Sequence, residues 1–133
     1  MNHSKLILTS LLLAGMAIAG CQKKNDPAPD PSQVTITINN PMANQIIHNG
    51  DSLSISADVS YISELHGYEV KLTNSQTGAV LFDDDQHVHD DHFSIRESWL
   101  DTFSAPATLN LLITVEIDHD GNEAKKEVVF HTN

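Results

Sequence analysis

Eight of the 133 residues are histidine, and five of them, His66, His87, His89, His92 and His119, fall in polar stretches that read as loops or loop edges. Imidazole is the commonest protein ligand for Zn, Cu, Ni and Fe, and a site needs three or four donors from separate segments at about 2.0–2.3 Å from the ion. His87 and His89 are two residues apart, a spacing that puts both side chains on the same side of an extended segment. A third ligand is then available from His66, His92 or His119, and neighbouring carboxylates can complete the shell or accept the outer ring N–H. The plainer reading of the same residues is a solvated acidic surface. Runs such as Asp83-Asp84-Asp85 and Asp90-Asp91 usually serve solubility, with histidine as polar filler. Calcium fits less well, because histidine is a poor ligand for so hard a cation. Its best fragment, Asp118-x-Asp120-Gly121-Asn122, lacks the bidentate Glu and the flanking helices of an EF-hand and reads instead as a hairpin turn.

Catalytic constellations are absent. The chain has no Gly-x-Ser-x-Gly elbow, no phosphate-cradling glycine loop and no His-Glu-x-x-His pair. Trp99, Tyr61 and Tyr68 are too scattered for a sugar-stacking platform, and Tyr68 belongs to a core-facing alternation. These absences point to a binding module rather than an enzyme.

The elements that must position the histidines follow from apolar residues recurring at every second position from Val34 onward. Val34, Ile36 and Ile38 mark a first strand, and Leu53, Ile55, Ala57 and Val59 a second. Tyr68, Val70 and Leu72 give a third; the turn residues Asn74 to Gly78 lead into a fourth over Ala79 to Phe82. Phe93 and Ile95 mark a fifth. Leu109, Leu111, Ile113, Val115 and Ile117 share one face of a sixth, and a seventh runs from Glu123 to His131. Asp120-Gly121-Asn122 can take the positive φ of a tight turn, so the last two strands are expected to be antiparallel neighbours. The pattern predicts an all-β, immunoglobulin-like or fibronectin-III-like seven-stranded sandwich. In that topology the connections after strands two, four and six open at one pole, which brings His66, His87, His89, His92 and His119 together and leaves His48 and His131 at the other.

The formal charge is −11, with His neutral. Such a balance repels phosphate polyanions and favours cations or basic protein surfaces, so nucleic acid is excluded as a partner. The single cysteine, Cys21, leaves no disulfide to staple the fold, and a core of about 100 residues must hold it instead.

Cys21 closes the sequence Ile18-Ala19-Gly20-Cys21, which follows a basic Lys5 and an apolar run from Leu6 to Ala19. The segment resembles a bacterial lipobox at the end of a signal peptide. The resemblance implies cleavage before Cys21, lipidation of its thiol and acylation of the new amino terminus. Several acyl chains would anchor the protein durably, where one chain binds membranes only marginally. The expected organisation is a signal peptide over 1–20, a lipidated Cys and Pro-rich tether over 21–33, and one sandwich domain over 34–133. Losing residues 1–20 removes Lys5 and leaves six basic against eighteen acidic side chains.

His66-Gly67-Tyr68-Glu69-Val70, Phe82 followed by His87-x-His89, and Asp118-His119-Asp120-Gly121-Asn122 together resemble small lipoproteins of Bacteroidota-type bacteria that carry one Ig-like domain. The resemblance implies an anchored cell-envelope location and no particular activity. Gln22 after the cysteine is unlike the Asp of inner-membrane retention, which favours the outer membrane. The functional expectation is a lipid-anchored module that binds or buffers Zn, Cu or Ni at its His-rich pole. The alternative is an interaction module without metal, which docks a basic partner or presents a sheet edge.

Overall fold

The structure is a computed structural model and describes residues 28–133. Cys21 and the tether as far as residue 27 lie outside the described residues. The elements are a 3-10 turn over Pro31–Gln33 and six strands: β1 (Thr35–Asn40), β2 (Ile46–Ile47), β3 (Ser52–Asn74), β4 (Val80–Leu100), β5 (Ala107–Glu116) and β6 (Glu123–Thr132). Hydrogen bonding orders them β1-β3-β5-β6-β2, with β4 on β3.

Strands β3 and β4 are long enough to belong to two layers each. Residues 52–60 of β3 lie between β1 and residues 92–100 of β4, while residues 67–74 lie between residues 80–87 of β4 and β5. The sheet therefore curls over itself into a sandwich. Leu53, Ile55, Ala57, Val59, Ile95 and Trp99 come from one layer and Val70, Leu72, Leu109, Leu111, Ile113, Val115 and Phe130 from the other, and all belong to one buried cluster. Burying apolar area between the layers, at roughly 25 cal/mol per Å², is what drives the curl.

The all-β sandwich expected from the sequence is the fold observed, and all seven expected segments are strand. The connections differ. The stretch around Glu64 and His66, and residues 83–92, are not loops but the middles of β3 and β4. The two strands cross from layer to layer side by side, so each meets the other's backbone N–H and C=O groups and neither needs a loop. Register shifts between Ser60 and Leu65 and between Leu65 and Gly67 absorb the bend. Odd-numbered residues of β3 face the core before the crossing (Leu53 to Val59) and even-numbered ones after it (Val70, Leu72).

Gly67 sits where three strands meet, opposite His87 on β4 and Glu116 on β5. A Cβ there would stand 3.0 Å from the Gln86 carbonyl oxygen and 3.1 Å from a Glu116 carboxylate oxygen, so the close approach of β3 and β4 depends on glycine. The β5–β6 connection is a tight turn with Gly121 at φ 88°. The end of the stretch read as tether is also structured. Asp30 caps the Pro31–Gln33 turn by accepting from the Ser32 N–H, and its own N–H donates to the Tyr61 hydroxyl at 3.0 Å.

Candidate metal centre

The crossing of β3 and β4 brings four of the five histidines together. His66 comes from β3, His87 and His89 from β4, and His119 from the β5–β6 turn. Their rings form a closed circuit, with centroid separations of 4.4 Å for His66–His119, 6.2 Å for His119–His87, 5.6 Å for His87–His89 and 5.7 Å for His89–His66. Imidazoles bound through nitrogen at about 2.0–2.1 Å to one tetrahedral ion would have centroids about 5 Å apart. The circuit is a little wider and uneven, and rotation of the exposed His87, His89 and His119 side chains is what would close it on one ion.

Two polar details bear on which nitrogens are free. Glu64 Oε1 lies 3.0 Å from His89 Nδ1, with both side chains about 60% exposed. A carboxylate at Nδ1 fixes the proton there and leaves the Nε2 lone pair for a cation. His66 Nδ1, by contrast, is buried and has no hydrogen-bond partner among the described residues. A buried nitrogen left in this state costs about 1–3 kcal/mol unless a water or an ion meets it.

Asp118 flanks the circuit but is occupied elsewhere. Its carboxylate accepts from the Asn122 side-chain amide at 2.7 Å and from the backbone N–H groups of Asp120 and Asn122 at 3.0 and 3.1 Å. The Asn122 amide, those backbone donors and the nearby His66 hold its pKa below the usual carboxylate range, against a smaller opposing effect of burial. The Asp118-x-Asp120-Gly121-Asn122 stretch is thus a self-bonded hairpin turn that carries His119, as its sequence suggested, with its first carboxylate already committed.

His92 is not part of the circuit. It pairs with Ser60 across β3–β4, in the other layer, and its Nδ1 bonds to Asp91. Among the described residues, Asp90, Asp91 and His92 are the group whose potential ligand atoms already lie within 4.8 Å of one another. That closeness follows from their being consecutive and exposed. The hydrogen bond that His92 donates to Asp91, then the charges of Asp91 and Asp90, raise the His92 pKa and favour the imidazolium, which has no lone pair to offer. The four-ring circuit, drawn from three separate elements, is the better transition-metal candidate. At the opposite end of the domain, His131 meets the Thr108 hydroxyl at 3.3 Å, and His48 is exposed.

No family model matches the chain, and no curated protein matches it. Among solved structures it is similar to Spo0M, a sporulation control protein from Bacillus subtilis, at 6% identity and a TM-score of 0.51, over 76% of this chain and 49% of that one. The chain thus spans about half the length of Spo0M. It is also similar to a CARDB domain from Pyrococcus furiosus, solved in complex with di-metal ions, at 13% identity and a TM-score of 0.42, over 73% of this chain and 91% of that one. At such identities likeness concerns the fold alone, and the first of these agrees with the β-sandwich described above.

Proposed function

We propose that this chain is a non-enzymatic, lipid-anchored module of the cell envelope that binds a divalent transition metal, Zn, Cu or Ni, through His66, His87, His89 and His119. The observation that carries the reading is the closed circuit of four imidazoles contributed by β3, β4 and the β5–β6 turn. An all-nitrogen donor set suits these borderline cations and disfavours Ca and Mg, which take oxygen. The unpartnered His66 Nδ1 and the Glu64–His89 bond support it, since one supplies an unmet donor atom and the other an oriented ring. The site lies on the surface of an acidic domain, so the field attracts cations and exchange with solvent is unobstructed, which suits capture or buffering better than permanent structural burial. The lipid anchor rests on the lipobox-like sequence ending at Cys21.

The test is titration of the chelator-treated whole chain, in neutral detergent, with Zn, Cu and Ni near neutral pH. Saturable binding that is lost in the His87→Ala, His89→Ala double variant is the expected result. Absence of saturable binding of all three, or undiminished binding by the double variant, overturns the metal reading. Partition of the mature protein into the detergent phase of a Triton X-114 extraction, abolished by Cys21→Ser, tests the anchor.

A further inference from the structure

Strand β4 hydrogen-bonds to β3 and, among the described residues, to nothing else. One edge of a 21-residue strand is therefore left with its backbone donors and acceptors unpaired. A free edge of this length is a template for another strand, and proteins that leave one open normally guard it with charge.

The guarding charges here point inward. Asp84 lies directly opposite Val70, and Glu97 directly opposite Ile55. Paired residues of an antiparallel ladder share a face, and both Val70 and Ile55 are fully buried. Two carboxylates, one on each half of β4, thus stand on the core side at the open margin between the layers. Tyr68 lies on the same face, its ring stacked on Phe93 at 5.3 Å. Burial and then the charge of Asp84 push the Glu97 carboxyl above its usual range, and burial and then the charges of Glu97 and Asp84 push the Tyr68 phenol up. The three groups therefore share one margin and feel one another's fields. Asp84 accepts only from the neighbouring Gln86 amide, and no Lys or Arg among the described residues comes within ion-pair distance of Asp84 or Glu97. Asp83 and Asp85, on the outward face beside Asp84, continue the acidic character; of these Asp83 is met by Lys71 at 3.5 Å.

We propose that the free edge of β4 over residues 80–87 receives an extended Lys- or Arg-bearing strand of a protein partner, which places one cationic side chain between Asp84 and Glu97. Backbone bonding along the edge supplies affinity that is blind to sequence, and the inward carboxylates supply the choice. An apolar strand laid there would desolvate two unpaired carboxylates, whereas a strand with a cation at that position neutralises both. The same residues thus reject indiscriminate edge pairing and select a basic segment. The field of the surrounding aspartates steers such a segment toward the edge. This surface adjoins the imidazole circuit at His87, but its carboxylates, Asp84 and Glu97, belong to no part of that circuit and require no metal.

The experiment uses the whole chain in neutral detergent with a chelator present, and as probes two short peptides, one of alternating Lys and Val and one of alternating Glu and Val. The Lys peptide is expected to bind and the Glu peptide to fail. Amide hydrogen exchange should show new protection within residues 80–87. Asp84→Asn with Glu97→Gln should weaken Lys-peptide binding about tenfold or more, the scale of a partly buried charge pair losing its partner. Asp90→Asn with Asp91→Asn removes the same charge from an exposed stretch of the same strand and should change binding by about twofold or less. No binding of the Lys peptide means that the carboxylates only block the edge and overturns the proposal. Equal weakening by the two double variants, or binding without protection of residues 80–87, identifies a diffuse electrostatic contact and overturns it as well.

Discussion

Glu64 Oε1 sits 3.0 Å from His89 Nδ1, a contact that joins β3 to β4 where both strands cross between layers. It gives the exposed His89 ring a defined tautomer and aims its second nitrogen away from the carboxylate. Glu64→Gln keeps the shape and removes the charge. If the carboxylate orients a ligand, metal affinity should fall about 10- to 100-fold, while the thermal stability of the metal-free protein stays close to wild type because a polar contact this exposed contributes little. Equal metal affinity of variant and wild type, measured by competition with a chelator, would show that the contact is incidental.

Gly67 tests whether the crossing positions the site. A Cβ at residue 67 would press on the Gln86 carbonyl and the Glu116 carboxylate, and the backbone oxygen cannot move without shifting β4 next to His87. Gly67→Ala is expected to destabilise the fold by about 1–3 kcal/mol and to weaken metal binding. Urea unfolding and a metal titration on the same sample check both effects. An unchanged midpoint would mean that the strands can part there at no cost.

Ile113 lies at the centre of β5 with no exposed surface. Ile113→Ala should cost about 2–5 kcal/mol through lost burial and the cavity left behind, read from urea denaturation followed by a β-type circular dichroism signal.

The pH dependence of the His119 turn follows from Asp118. Its pKa is lowered in the folded state, by the Asn122 amide first. A depressed carboxylate pKa gives stability that is fully present above the unfolded value, about 3.9, and is lost as pH falls through the lower folded one. Protection of the Asn122 amide, whose N–H donates to Asp118, taken against the intrinsic exchange rate at each pH, should persist from neutral pH downward and be lost only below the ordinary carboxylate range. Asp118→Ala should show little protection throughout. Metal binding should fade earlier, as pH falls through about 6.5, where imidazole in water takes up a proton. A site built on carboxylates alone would hold its ion to about pH 4–5.

Much of this was legible in the sequence because period two survives wherever one sheet face is buried. Leu109 to Ile117 gave β5 its core face, and Asp120-Gly121-Asn122 gave the turn into β6. Gathering His66, His87, His89 and His119 at one end needed only the alternation of strand directions. The continuity of β3 and β4 was hidden for a specific reason. Their inward face changes parity at the crossing, from Val59 to Val70 on β3 and from Phe82 to Phe93 on β4, so each reads as two patterns out of phase with a polar gap between. Aspartates in that gap look like a loop by propensity, yet pairing with β3 keeps them extended. The same register shifts separate His92 from the other rings, which spacing along the chain does not reveal. Strand β2 is two residues held parallel to β6, too short to carry any period.

In the proposed site four imidazoles from three elements share one ion. X-ray absorption fine structure of the chain loaded with one equivalent of Zn, with any excess removed, measures this most directly. The expected result is a set of nearest donors at about 2.0–2.1 Å dominated by three or four imidazole nitrogens, reduced in the His87→Ala, His89→Ala variant. A shell of oxygen donors without imidazole scattering, or one unchanged in that variant, would contradict it.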